Sequence, residues 1–421
     1  MSLKFIRTRI LKDLGVLLSG SFIAQIIPLL LQPVLKTIYE PEVFGVYEVF
    51  FRTGSLLFII FTLRYEVSLF YPRTLDTTKK LVAMITVISL FFLIITELIF
   101  VIGDQGVSNM LELPFGYNYV LYLIPLAAFS YAIFRVWTNY YISREFLKKL
   151  NFAKVSRRIT EGSLQVIIGL LGKSYGLLLG DLIGVLGTAC YMMKKEGIRL
   201  KYLFDFKGHF SSMKKYIDIP KYGLFPDLLN TFTDGILVFL VVKEFTFQEA
   251  GYLELALKIL IVPTALLVSN MGPLIVQRIT KAINHNESFF KDLNTIFIIL
   301  AVVAAMFIGS IFLFGESVFN LLFSNEWSES FDYVKILVVY AAVQLIVAPF
   351  GQILIAFKKF GLDAFWKIFK FLGLSILFFI DFESVESLLK TFTVVASLVY
   401  FFYAMLIFLV VKKYLLEKVK S

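Results

Sequence analysis

The sequence is poor in the residues on which most catalytic and metal-binding chemistry relies. It holds one cysteine, Cys190, and two histidines, His209 and His285, far apart in the chain. A single cysteine excludes a disulfide within the chain and any cysteine-based metal site. Two separate histidines in polar connectors argue against histidine catalysis and zinc chemistry. No metal and no cofactor is therefore expected. Charge is scarce as well: 17% of the 421 residues are Asp, Glu, Lys or Arg, against about 25% in soluble domains. Long polar connectors are also lacking. No expected outer loop exceeds about twenty residues, where soluble domains need about 50 or more.

What is abundant is apolar. The chain is 58% hydrophobic and 17% aromatic, with a mean hydropathy of +0.81. Apolar stretches of about 20 residues, long enough to cross the hydrocarbon core, recur throughout. The expectation is an all-α polytopic membrane protein. Apolar windows place about twelve spans, at roughly 14–35, 47–70, 81–102, 119–141, 159–172, 175–193, 222–243, 251–272, 293–314, 333–355, 364–381 and 389–411. Lys4, Arg7, Arg9 and Lys12 precede the first of these. That run is too long for a secretory signal and lacks a small-residue cleavage site, so it reads as a retained helix.

The net charge is +10, from 41 Lys and Arg against 31 Asp and Glu. A basic balance can signal nucleic acid, but here the cations fall in alternate connectors. Arg73, Lys79 and Lys80 occupy one, and Arg144, Lys148, Lys149, Lys154, Arg157 and Arg158 the next. Eight more lie between Lys194 and Lys221, and the tail carries Lys412, Lys413, Lys418 and Lys420. The intervening connectors are acidic, with Glu40, Glu42, Asp104, Glu249, Glu326 and Glu329 among their residues. The positive-inside rule then puts both termini in the cytoplasm and accounts for the charge without nucleic acid.

Two phrases repeat. "FGVYEVFFR" at 44–52 and "AGYLELALK" at 250–258 each carry Gly, then Glu three places on, then a cation four places after that. Gly45 and Gly251, Glu48 and Glu254, and Arg52 and Lys258 all stand 206 positions apart, about half the chain. Each phrase follows a short acidic loop and opens an even-numbered span. Six spans per half makes the halves parallel repeats about an axis along the membrane normal. The expected organisation is an N-terminal six-helix bundle, 1–205, and a C-terminal one, 206–421, around a central cavity.

Charges inside spans cost about 2.5–3.5 kcal/mol each on insertion scales, so their presence needs a reason. Glu48 and Arg52 share a helix face, as do Glu254 and Lys258. Arg52 lies only about five residues, roughly 8 Å, into its expected span. Each pair reads either as a bridge near the outer interface, its cation reaching water, or as a cation facing a wet interior. Arg64, Arg135, Lys367 and Lys370 join Arg52 and Lys258 as cations in or beside spans, a set suited to an anionic substrate, with arginine forks matching phosphate oxygens. Polar stripes at helical spacing run along the first helix (Ser21, Gln25, Gln32) and the seventh (Asp227, Asn230, Asp234). These read as cavity lining or as polar helix packing. Asp181, in the sixth span, reads as a coupling carboxylate or as a partner for a neighbouring arginine.

"LSGSFIAQIIPLLLQPVLKTIYEPEVFGVYEVFF" with "LRYEVSLFYPR", "KYIDIPKYGLFPDLLNTFTDGILVFLV", "AGYLELALKILIVPTALLVSNMGPLIVQR" and "LFSNEWSESFDYVKIL" together resemble the Wzx-type oligosaccharide flippases. The likeness runs along the whole chain in matching order. It implies membership of the multidrug/oligosaccharidyl-lipid/polysaccharide exporter superfamily, whose members have a MATE-like fold. It also implies a substrate, undecaprenyl-diphosphate-linked oligosaccharide, flipped from the inner to the outer leaflet of the bacterial plasma (inner) membrane. Arg52, Arg64 and Glu66 are the site residues it covers. Membrane lipids, polysaccharide polymerase machinery and a coupling ion, H+ or Na+, are the partners it implies. Two other functions stay open from the residues. A cation-coupled multidrug antiporter would use Asp227 and Asp234. A membrane glycan polymerase or ligase would need a large outer loop bearing catalytic Arg or His, which the connectors do not offer.

Overall fold

Helix starts and stops follow local backbone chemistry more closely than they follow the edges of the apolar runs. The computed structural model describes residues 22–198, 200–284, 289–357 and 359–420. The expected start of the first span, Lys4, Arg7, Arg9, Lys12, Ser21, Arg199 and His285 lie outside them. Among the described residues there is no strand. The long helices are α1 (Phe22–Ile38, interrupted at Leu31), α2 (Pro41–Thr62), α3 (Leu75–Ile102), α4 (Tyr119–Ser143), α5 (Leu147–Leu170) and α6 (Gly176–Glu196). They continue with α7 (Asp218–Glu244), α8 (Phe247–Asn284), α9 (Phe290–Ser310), α10 (Ser328–Val347), α11 (Phe360–Ser375) and α12 (Val385–Lys420). Eight helical stretches in the described residues are long and apolar enough to span a bilayer on their own. The chain is an all-α, multi-pass membrane protein.

Three boundaries differ from expectation in ways that matter. The second span was expected at 47–70, but α2 begins at Pro41 and stops at Thr62. Proline at the first helical turn, after an extended Glu40, is a favoured start because its missing N–H needs no partner there. The stop is made by two successive non-glycine residues with left-handed backbone, Leu63 (φ 46°) and Arg64 (φ 63°), after which a 3₁₀ turn runs Tyr65–Phe70. The fifth span, expected at 159–172, begins at Leu147. Lys and Arg are good helix formers, so a charged segment that hydropathy reads as a connector continues as helix. The connector expected across 194–221 likewise contains a helix, Phe206–Lys215.

The chain divides into two compact units, Met1–Gly235 and Ile236–Ser421, so α7 is shared between them. In the first unit, Trp137, Tyr140 and Tyr141 of α4 pack with Leu81, Met84 and Ile85 of α3 and with Met192 of α6. In lipid, apolar surface gains nothing by leaving the solvent, so helices are held by close packing and polar contacts. Gly180 and Gly184 of α6 meet that requirement. A Cβ on Gly184 would lie 2.9 Å from the Cβ of Glu161, and one on Gly180 would lie 2.4 Å from Cγ of Gln165. Backbone of α6 therefore rests directly against α5. In the second unit, fully buried Trp327 meets Tyr252 of α8 edge-on at 5.9 Å, and Trp366 of α11 stacks on Tyr403 of α12 at 4.0 Å.

Candidate functional site

Because α2 starts at Pro41, Arg52 lies eleven residues along it, about 16 Å at 1.5 Å per residue. The helix thus starts six residues earlier than the expected span, and Arg52 finds protein partners on its own helix and on α7. Arg52 Nε donates to Glu48 Oε1 at 2.7 Å, and Nη1 donates to the backbone carbonyl of Asp234 on α7 at 3.1 Å. In the second unit, Lys258 lies eleven residues after Phe247, the first residue of α8, and pairs with the buried Glu254. The repeated phrase thus builds the same i,i+4 ion pair at the same helical depth in each unit.

Arg64 was expected inside a helix, about six residues from its inner end. It stands instead at the break after α2, itself in left-handed backbone. Two carboxylates share its fork: Nη1 lies 2.9 Å from Glu66 Oε1 and Nη2 lies 2.5 Å from Asp227 Oδ2. Glu66 is fully buried, and Asn139 of α4 donates to its backbone carbonyl at 3.1 Å. Arg64 Nε and Glu66 Oε2 are both buried with no hydrogen-bond partner among the described residues.

The polar stripe on α7 therefore serves the two arginines. Asp227 takes Arg64, the carbonyl of Asp234 takes Arg52, and Asn230 Nδ2 donates to Asp234 Oδ2 at 3.3 Å. Gln25 on α1 is half-buried and makes no hydrogen bond among the described residues. On α1 it is Gln32 that is buried, its amide donating to the carbonyl of Pro28 at 3.0 Å.

A further charge cluster in the first unit pairs Asp181 with an arginine, one of the two roles read for it from the sequence. Arg157 and Arg158, expected in a connector, lie within α5. Arg158 Nη1 contacts both carboxylate oxygens of Glu161, at 2.9 and 2.8 Å. Arg157 Nη2 lies 3.3 Å from Oδ1 of the buried Asp181 on α6, and its Nε lies 3.6 Å from Glu161. Tyr131 of α4 donates its hydroxyl to the other oxygen of Asp181. Two cations and two anions are thus matched inside the unit. The signals available in sequence were the i,i+3 and i,i+4 spacings of Arg158 and Arg157 to Glu161 and the small residues Gly180 and Gly184 flanking Asp181.

Of the remaining expected cations, Lys367 pairs with Asp363 at 3.2 Å on α11, and Lys370 is buried. Arg135 is exposed on α4 and has no acidic partner among the described residues. Arg52, Arg64, Lys258 and Lys367 are accordingly each held by a carboxylate of their own unit, which offsets the cost of charge inside a span.

A family model described as "Polysaccharide biosynthesis protein" matches residues 38–332. That stretch is well over half of the chain and includes α2, the Arg64 break, the α5–α6 cluster and the second repeat of the phrase. The chain belongs to the polysaccharide biosynthesis protein family. Solved structures of similar fold agree with the placement. The lipid II flippase MurJ, in an inward closed conformation, is 13% identical, covers 93% of this chain and 87% of its own, and superposes with a TM-score of 0.72. An inward-facing multidrug resistance MATE family transporter of the MOP superfamily is 14% identical, with 92% and 95% covered and a TM-score of 0.68. A MATE in complex with MaL6 is 10% identical, with 97% and 96% covered and a TM-score of 0.57. At these identities the likeness establishes the fold, which is MATE-like, and nothing finer. No curated protein matches the chain.

Proposed function

We propose that this family member is a flippase carrying undecaprenyl-diphosphate-linked oligosaccharide repeat units from the inner to the outer leaflet by alternating access. The observation that carries the reading is the occupied fork of Arg64. Its two terminal nitrogens already hold two carboxylate oxygens, the arrangement in which a guanidinium also binds a diphosphate. Glu66 is buried beside it and stays. Asp227, about a quarter exposed on another helix, is the exchangeable ligand. In this scheme an incoming lipid diphosphate displaces Asp227 from Arg64, and Asp227 returns when the substrate leaves. Arg52, held by Glu48 and by the carbonyl of Asp234, is the second contact on α2, and Lys258 repeats that position in the second unit.

The surrounding assignments belong to the same proposal. The duplicated halves meet near residue 205, and both termini are cytoplasmic because the basic connectors alternate with acidic ones. The membrane is the bacterial plasma (inner) membrane, the coupling ion is H+ or Na+, and no bond of the substrate is made or broken. Arg64→Ala and Arg52→Ala are expected to abolish glycan export in cells while membrane insertion is unchanged. Full export by both variants refutes their assigned role. A second reading, a cation-coupled antiporter for small molecules, draws on the number of carboxylates matched to these cations. Purified protein that binds organic cations and ignores lipid diphosphates would favour it.

A further inference from the structure

The connector between α6 and α7 is partly helical and packs back against the first unit. Its helix, Phe206–Lys215, is capped by Asp205, whose carboxylate accepts from the Gly208 N–H at 3.0 Å. One side of the connector is fastened to the chain between residues 65 and 79. Tyr65 donates its hydroxyl to the carbonyl of Met213 at 3.1 Å, and Tyr71 stacks on Tyr216 at 6.1 Å. Tyr202 donates to Asp76, and Lys79 donates to the carbonyl of Gly197 at 3.0 Å. His209, on the same side as Met213 and Tyr216, is buried.

The flank beside that side is bare and apolar. Phe204, Phe206 and Phe210 are 71%, 63% and 72% exposed, and Ile217 and Tyr222 are exposed further along the connector. Around the helix, at about 100° per residue, Phe206 and Phe210 sit next to the fastened face. Lys207, Lys214 and Lys215 follow on the arc beyond. Across residues 200–222 five lysines stand against two aspartates. The fastening residues also fix the height of the patch. Two of them, Asp76 and Lys79, lie in the first turns of α3, where Asp76, Lys79 and Lys80 give way to the apolar run beginning at Leu81, the composition change that marks a membrane–water boundary.

Apolar side chains on one arc, lysines on the next and placement at a boundary are what an interfacial helix requires. We propose that residues 204–222 form a docking surface for anionic phospholipid headgroups. The lysines take the lipid phosphates, and Phe204, Phe206 and Phe210 enter the acyl boundary. Through Tyr65 and Tyr71, an anionic leaflet then holds the segment that carries Arg64. The inference depends on the membrane-spanning fold and not on the identity of the transported substrate.

The test uses the full chain in nanodiscs. With Cys190→Ser as background, a nitroxide is placed at Phe210→Cys and, as control, at Ser211→Cys. Its relative accessibility to oxygen and to a water-soluble nickel chelate reports depth. In discs containing phosphatidylglycerol the label at 210 is expected below the headgroups and the label at 211 outside. The label at 210 is expected to move outward in pure phosphatidylcholine. Replacing Lys207, Lys214, Lys215 and Lys221 with Gln should remove the difference between the two lipids. All these positions are exposed, and an unchanged monodisperse profile confirms folding of each variant. A label at 210 that is water-accessible in anionic discs overturns the proposal and assigns the face to a protein partner. Equal immersion in both lipids overturns the role of the lysines.

Discussion

Asp227→Asn separates a competitor from a contact. In the structure the Asp227 carboxylate holds Arg64 Nη2 at 2.5 Å, and each side chain is a little over a fifth exposed. With charge centres about 4 Å apart, the Coulomb term is about 4 kcal/mol at an effective dielectric of 20. Partial solvation and the entropy of holding two side chains reduce the net value toward the 1 kcal/mol typical of exposed pairs, so about 1–2 kcal/mol is a fair figure. If a lipid diphosphate must displace Asp227, that energy is returned to the ligand in the Asn variant. Binding is then expected to tighten by about 5–30-fold, one factor of ten per 1.4 kcal/mol. Arg64→Ala should weaken binding well below the parent, with Arg52 left as the remaining contact. The assay is equilibrium binding of a fluorescent polyprenyl diphosphate to protein in nanodiscs, with the monophosphate for comparison. An Asn variant that binds as weakly as Arg64→Ala refutes the reasoning, because Asp227 would then support the site and not occupy it.

Three further outcomes follow from packing and backbone geometry. Glu48→Gln leaves Arg52 with a neutral partner and the Asp234 carbonyl and is expected to lower stability by about 1–3 kcal/mol, whereas the double variant Glu48→Met/Arg52→Met should recover most of it; thermal unfolding in detergent compares the two. Gly180→Ala puts a methyl 3.0 Å from the backbone carbonyl of Glu161 as well as against Gln165, and is expected to cost about 1–3 kcal/mol. Its midpoint should fall while Gly187→Ala, which meets nothing within 4 Å, stays near the parent. Leu63→Gly relieves a left-handed non-glycine residue and is expected to raise stability by up to about 1 kcal/mol, while Leu63→Val lowers it in the same melt.

The fold class could be read from residues because it depends on a quantity local to each segment. A stretch of about 20 apolar residues crosses a bilayer whatever its neighbours are, and an i,i+4 pair such as Glu48 with Arg52 lies on one helix face by helical geometry alone. Both are properties of a single helix. Helix ends were less legible. The break at Leu63 and Arg64 lies in a sequence without glycine or proline, and α5 begins inside a lysine-rich segment that hydropathy discards. Pairing between helices could not be read at all. Arg64 meets Asp227 across 163 positions, and Arg157 meets Asp181 only because Gly180 and Gly184 let two backbones touch. Apolarity and periodicity are written residue by residue, so the chain alone settled that it spans a membrane and where its charges fall. Which charge neutralises which depends on the distances between helices, and those exist only once the helices have packed.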